Sequence, residues 1–402
     1  MDTRHTSQPK AAGGLPGNES LDTPEQAEVR QLARQIVSRQ SPDEKIRSHD
    51  EAHTFDHELY RGLGEAGLVG LGVDAASSAH PDARYQVAVV EELAAGPTSM
   101  AVCLIVQYMG VQLLTTLGTR EQKEDVLAPL AGGAQRIAFA LTEPDAGTDV
   151  AAAMRTRAER SDGRWVLSGT KTWISGPKVA DHVIVVARTG PAEPSRVDGI
   201  SLFVVPTTAP GLRIRELDTV GINSLDTCEL VLDEVQVPET ALLGAVGAGF
   251  RSLLATLNQE RLNAAAAALG IAEGAFVLAV RYAGERHAFD RPVGAFQALQ
   301  HRLVQSALRI ESARGLLNRA ADAAASGERA DVLSAMAKLA ASEAATEVTD
   351  QGMRILGGAG YSREFAMQRY FRDARLYTFA PLTDEMLKNY LGEQMLGLPR
   401  SF

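Results

Sequence analysis

The run GTKTWISGP, residues 169–177, sets an aromatic plane and a hydroxyl two positions apart. On a β-strand that spacing sends Trp173 and Ser175 to the same side. The pair suits a flat, hydrogen-bonding ligand; an ordinary half-buried tryptophan is the plainer alternative. A second stretch, ALTEPDAGTDV (140–150), sets turn formers among hydroxyls. Thr142, Thr148 and the main chain at Gly147 could donate hydrogen bonds to a polar ring or a phosphate. The same residues could equally form a Pro-Asp-Ala-Gly turn with an Asx cap. A third, RDARLYTFAPLTDEM (372–386), reads like the end of a bundle helix running into a loop, with Pro381 in that loop. No G-x-G-x-x-G follows a strand pattern and no G-x-x-x-x-G-K-[ST] occurs, which argues against Rossmann and P-loop phosphate sites.

Groups of this kind work only on rigid elements, and the chain supplies three sets of them. In TPEQAEVRQLARQIVSRQ, Thr23 is a helix N-cap, Pro24 takes the first helical position, and Val29, Leu32, Ile36 and Val37 share a face. MAVCLIVQYMGVQLLTTLG is apolar most of the way round and reads as a buried helix. Near residue 137 the period changes. RIAFALTE, RWVLSGTKTWISG, HVIVVARTG, GISLFVVPT, LRIRELD and CELVLDEVQVP are short β-rich runs parted by turn formers, which suggests a compact barrel or sandwich. Long Ala-rich amphipathic helices follow, as in a bundle. The expected fold is mainly α with a central β-domain. It comprises a disordered leader (1–22), an N-terminal helical domain (23–136), the β-domain (137–243) and a C-terminal helical bundle (244–402).

The 402 residues are enough for two or three such domains. A net charge of −10 disfavours nucleic acid or an anionic membrane surface as partner. Cys103 and Cys228, far apart in sequence, suggest a reduced, cytoplasmic setting rather than a disulfide framework. No uninterrupted apolar run approaches the ~18 residues of a membrane span. The N-terminus lacks the apolar core of a signal peptide.

Seven collinear segments carry a resemblance: GTREQKEDVLAPLAGG, ALTEPDAGTDV, GTKTWISG, VQVPETALLGAVGAGF, ERLNAAAAALGIAEGA, RYAGERHAFDRPVGAFQALQ and ILGGAGYSREFAMQRYFRDAR. In this order they resemble the acyl-CoA dehydrogenase family of flavoproteins, over nearly the whole chain after the leader. The resemblance implies a helical domain, a β-domain and a C-terminal four-helix bundle holding non-covalent FAD and acting on a thioester. It implies that Phe139, Leu141 and Thr142 line the isoalloxazine, with Trp173 against it and Ser175 near N5. Gly147 and Thr148 match a stretch shared by FAD and the pantetheine of the substrate. Arg286, Phe289 and Gln297 match positions holding the FAD of a neighbouring subunit, as do Gly357 and Gly358, with Arg354 in place of a common Gln. Thr383 and Glu385 match the flavin side of the terminal loop, and Asn258 and Arg261 the substrate side. The implied assembly is a homodimer or homotetramer, and the implied electron acceptor is an electron-transferring flavoprotein.

In much of that family the base that removes the α-proton is a glutamate in a YEGT segment after RDAR. Here Ala380-Pro381-Leu382-Thr383 stands in its place, so both the carboxylate and a main-chain N–H donor are lost. A branch resembling isovaleryl- and long-chain acyl-CoA dehydrogenases carries the base in an ER pair, here Glu260-Arg261. Glu260 precedes a nearly pure Ala run, where burial would raise its pKa as a base requires. The alternatives are an ion pair with Arg261 or a cap on the first turn. Asp384 and Glu385 are further candidates for the base. Other departures are GVDAASSAHPDA (72–83), Asp290 in place of Gly, and Asn223-Ser224-Leu225 in place of R-x-S. The expected reaction is α,β-dehydrogenation of an acyl thioester on CoA or an acyl carrier protein. The alternatives are a flavin-dependent monooxygenase or oxidase on the same scaffold, and a non-enzymatic flavin-binding subunit.

Overall fold

The computed structural model describes residues 22–71, 73 and 82–401. The expected leader up to residue 21 and most of the departure at 72–83 therefore lie outside the described residues, whereas Asp22, at the leader's end, is described and held by Arg30. The N-terminal helices are α1 (Pro24–Gln40), α2 (Asp43–Ala52), α3 (His57–Glu65), α4 (Ala83–Ala94) and α5 (Thr98–Leu117). Next come α6 (Arg120–Gln122), a π-turn (Lys123–Leu127) and α7 (Ala128–Ala131). Thr23 caps α1 in a full capping box with Gln26. The expected apolar face of α1 is only partly right. Leu32 is 38% exposed, and the buried residues are Gln26, Arg30 and Ala33. Arg30 can be buried because it pairs with Asp22 at 2.8 Å and Glu91 at 3.0 Å. Glu91 also pairs with Arg314 at 3.1 Å, so one charge network ties the N-terminal helices to the bundle.

The β-domain holds β1 (Ile137–Ala140), β2 (Arg157–Ser161), β3 (Arg164–Ser175), β4 (His182–Arg188), β5 (Ile200–Pro206), β6 (Leu212–Glu216), β7 (Thr227–Pro238) and β8 (Leu242–Leu243). They form one sheet in the order β6-β7-β3-β2-β4-β5-β8, with β1 added parallel to β4. The centre of β4, Val183 to Ala187, is continuously apolar because both of its faces are covered. Val183, Val185 and Ala187 enter the core of the β-domain with Trp165, Phe203 and Leu230. Ile184 and Val186 pack with Val111, Leu113 and Leu114 of α5.

The C-terminal part contains α8 (Gly249–Glu285), the hairpin of β9 (His287–Ala288) and β10 (Arg291–Pro292), α9 (Gln297–Ala325), α10 (Asp331–Leu356), α11 (Gly358–Tyr361), α12 (Met367–Ala374) and α13 (Asp384–Gln394). α8 packs on both α10 and α4, so it belongs to both helical layers. Its small residues make this possible. Ala264 to Ala268 are buried, and a β-carbon at Gly270 would lie 2.2 Å from the Glu91 carbonyl oxygen. Two segments, Thr98–Leu117 and Asn258–Glu285, are long and apolar enough to cross a membrane by length and composition. Both are mostly buried inside the protein, where they serve as core helices.

Candidate active site

Trp173 and Ser175 end β3, but the strand is not regular there. Between Lys171 and Ile174 the pairing with β7 slips by a residue, and Trp173 takes φ +60°. Left-handed backbone costs a bulky side chain about 1–2 kcal/mol and marks sites where structure serves another end. Ile174 points into the core of the β-domain. Trp173 is 62% exposed and Ser175 half-buried. The alternation of Trp173, Ile174 and Ser175 is thus kept, and a bulge just before it turns the indole outward.

Lys171, wholly buried, brings the second motif alongside. Its Nζ donates to the Leu141 carbonyl at 2.8 Å and pairs with Glu143 at 2.9 Å. The Thr172 amide donates to the Thr142 carbonyl at 2.9 Å. Glu143 also accepts the amides of Arg155 (2.7 Å) and Thr156 (2.9 Å), which closes the TEPDAGTDV turn. Leu141 and Thr142 are therefore fixed beside Trp173, with Phe139 half-buried on β1 next to them. Burial pushes the Lys171 ammonium down to about 8, against the pull of Glu143. Among the described residues the hydroxyls of Thr142, Thr148 and Ser175 have no hydrogen-bond partner. Gly147 has no positive φ and no neighbour within 4 Å of a built β-carbon, so nothing in the chain itself requires glycine there.

Glu260 lies eleven residues into α8, too far from the helix start to cap it. Among the described residues it makes no ion pair and no hydrogen bond, although Arg261 is adjacent. Burial pushes its carboxyl up to about 7, with Arg261 pulling weakly the other way. Arg261 turns instead onto the ring of Tyr390 in α13, 5.3 Å from the centroid, and is 3.5 Å from Asn258 Oδ1.

The terminal loop is fastened beneath. Lys338 of α10 donates to the Tyr377 carbonyl (2.6 Å), the Leu382 carbonyl (2.8 Å) and Asp384 Oδ1 (2.9 Å). Ser342 donates to the other Asp384 oxygen at 2.9 Å. Both oxygens of Asp384 are therefore engaged in the fold, whereas Glu385 is exposed on the first turn of α13. Thr383 is the N-cap of α13, accepting from the Met386 amide. Pro381 is exposed. Among the described residues the amides of Leu382 and Thr383 donate to nothing.

The remaining expected site residues gather at the far end of the bundle. Arg286 ends α8, Phe289 tips the β9–β10 hairpin and Gln297 begins α9; all three are exposed. Phe289 and Asp290 both have positive φ, as a two-residue hairpin turn of mirror-image type demands, and Phe289 is 87% exposed. Asp290 therefore occupies a backbone position where glycine is the easy choice. Gly357 caps α10 with φ +59°, whereas Gly358 has neither a positive φ nor a crowding neighbour. Arg354 pairs with Asp350 at 2.7 Å. Glu260 and Arg286, the C-cap of α8, are twenty-six residues apart along that helix, about 39 Å at 1.5 Å per residue.

Three residues escaped the sequence reading: Lys171, Lys338 and Tyr390. For Lys171 the signal was the single Lys of β3 together with the Glu of LTEPD. Tyr390 gave none, since it meets Arg261 across 129 positions.

Three domain descriptions of one family match the chain in order. They are acyl-CoA dehydrogenase N-terminal (residues 23–134), middle (138–235) and C-terminal (247–396) domains. The chain is 39% identical over 358 residues to the mitochondrial short-chain specific acyl-CoA dehydrogenase of Bos taurus, covering 88% of this chain and 85% of that protein. Butyryl-CoA dehydrogenase from Megasphaera elsdenii shares its fold at a TM-score of 0.87 and 33% identity, over 93% of this chain and 99% of that one. A glutaryl-CoA dehydrogenase of Mycobacterium smegmatis, solved in complex with FADH2, does so at 0.88 and 27%, over 96% and 98%. The protein belongs to the acyl-CoA dehydrogenase family, a family of flavoprotein oxidoreductases that bind FAD.

Proposed function

We propose that this protein dehydrogenates an acyl thioester between its α- and β-carbons with FAD bound, and that Glu260 is the base. The observation that carries the reading is the state of Glu260. A half-buried carboxyl on a helix, with no ion pair or hydrogen bond among the described residues and its pKa pushed up by desolvation, can take a proton at physiological pH and is not consumed by the fold. The residues around Trp173 fit the cofactor. An outward indole at a strained bulge, unpartnered hydroxyls at Thr142 and Ser175, and the half-buried Phe139 and Leu141 offer a planar ring both a face and hydrogen bonds. FAD, when bound, supplies the acceptor for the electrons that leave with the β-hydrogen.

Glu260 removes the α-proton. Thr148, Asn258 and Arg261 lie on the substrate side. Pro381 contributes no amide, and losing one donor to a developing oxyanion typically costs about 2.7–4 kcal/mol. The free amides of Leu382 and Thr383, held by the Lys338 clamp, are the donors that remain in that loop. Arg286, Phe289, Gln297, Arg354, Gly357 and Gly358 hold the adenosine and diphosphate portion of FAD in a neighbouring subunit. The roughly 39 Å along α8 between Arg286 and Glu260 supports that division, since one subunit cannot turn both toward one end of the bundle. The assembly is accordingly a homodimer or a dimer of dimers, and an electron-transferring flavoprotein takes the electrons onward. Glu385 is the alternative base.

Anaerobic mixing of the FAD-loaded protein with a panel of acyl-CoA and acyl-carrier-protein thioesters tests the reading, and bleaching of the oxidised flavin by at least one is expected. Pro381 favours a second reading, a monooxygenase or oxidase that needs no α-proton abstraction. NAD(P)H-driven oxygen uptake, with no thioester bleaching the flavin, would establish that instead.

A further inference from the structure

The charged neighbour whose field reaches Glu260 is Arg261, one residue on, and the two do not pair. What holds the guanidinium elsewhere is visible. It lies 5.3 Å from the centroid of the Tyr390 ring, a cation–π distance. The Tyr390 hydroxyl donates to Asp331 Oδ2 at 2.6 Å. Asp331 is held in turn by a two-point ion pair with Arg329, at 2.8 and 2.9 Å. Three elements thus fix the ring: α13, the start of α10 and the segment before it. Of the other charged groups there, Glu328, Glu385 and Glu393 are exposed and the rest are paired. Asp384 is bound to Lys338, and Lys388 pairs with Glu343 at 3.1 Å. The neighbours of Glu260 on α8, Asn258, Gln259 and Asn263, carry no charge.

The geometry points to Tyr390 as a positioning residue that parks Arg261 and so keeps the Glu260 carboxyl free of a counter-ion. This rests on the reading of Glu260 as base, but the test separates the two. Without the ring, Arg261 is free to swing onto its neighbour, and an opposite charge at contact lowers a carboxyl by about one pH unit or more.

The test is an infrared pH titration of the protonated-carboxyl band that disappears in Glu260→Gln, on the FAD-loaded protein without substrate. Wild type should titrate near pH 7. Tyr390→Ala should move the midpoint down by about one pH unit or more. Arg261→Gln should move it up, and the double variant should follow Arg261→Gln. Tyr390→Phe, which keeps the ring, should stay near wild type. A purely structural role predicts that Tyr390→Ala and Arg261→Gln shift the midpoint in the same direction. That result, or an unmoved midpoint in Tyr390→Ala, would overturn the inference. Tyr390→Leu replaces the alanine variant if that one fails to fold. Failure of Glu260 as base shows separately, as undiminished flavin reduction in Glu260→Gln, and leaves the titration readable.

Discussion

Replacing Lys171 by methionine removes the charge that joins β3 to the TEPDAGTDV turn. The ammonium is wholly buried and makes two contacts, to the Leu141 carbonyl at 2.8 Å and to Glu143 at 2.9 Å. Methionine fills similar space but leaves a buried carbonyl without its donor and a buried carboxylate without its cation. Breaking a buried pair from one side costs about 3–5 kcal/mol. Glu143 keeps the Arg155 and Thr156 amides, which places the expected loss at the lower end. About 3 kcal/mol is roughly two powers of ten in the folding equilibrium. The chain offers a local reporter, because its two tryptophans, Trp165 and Trp173, both sit on β3. Urea unfolding followed by tryptophan fluorescence should show the loss in Lys171→Met. The double variant Lys171→Met/Glu143→Gln should recover part of it, since no unpaired charge remains. FAD retention should fall in the single variant because Leu141 and Thr142 are released from β3. A Lys171→Met protein within about 1 kcal/mol of wild type would show that the Lys171–Glu143 pair does not hold the turn.

Glu260 makes a prediction about stability. Its folded pKa lies above the ordinary value of 4.5, so the native state binds the extra proton between about pH 4.5 and 7 and loses stability as pH rises through that window. Glu260→Gln should therefore unfold with wild type near pH 4.5 but be more stable by about 2 kcal/mol at pH 8. Gly358→Ala should leave stability within about 0.5 kcal/mol, since nothing crowds that β-carbon. It should nonetheless weaken FAD binding, read by equilibrium dialysis, if main chain approaches the cofactor there. Phe289→Gly should stabilise the FAD-free protein by about 1 kcal/mol through relief of its φ of +54°, while lowering FAD retention.

The order of domains was legible because each carries its own period: helical repeats to about residue 131, alternating and short apolar runs to Leu243, then long Ala-rich helices. The apolar run of β4 and the N-cap at Thr23 were likewise readable from local rules. The site was legible only as a set of positions. The bulge at Trp173 depends on where β3 slips against β7, which residue spacing along one strand does not encode. Arg30 broke the apolar face expected of α1 because its partners lie on another helix and before its own. The Glu143–Lys171 and Arg261–Tyr390 contacts join residues brought together by tertiary packing. Phe289 is a poor choice for left-handed backbone, although Asp290 tolerates it, so the sequence concealed the hairpin they form. Asp384 is a candidate base by sequence alone, and its partners Lys338 and Ser342 reach it from α10, more than forty positions away.

In the proposed reaction Glu260 takes the proton. The direct measurement is the single-turnover rate of flavin reduction in Glu260→Gln, mixed anaerobically with the thioester that best reduces wild type. A positioned general base typically contributes 10²–10⁴-fold, so the predicted rate is lower by at least about 10², with FAD content and fold unchanged. A variant that reduces its flavin at the wild-type rate would contradict the account and return the search to the terminal loop, beginning with Glu385.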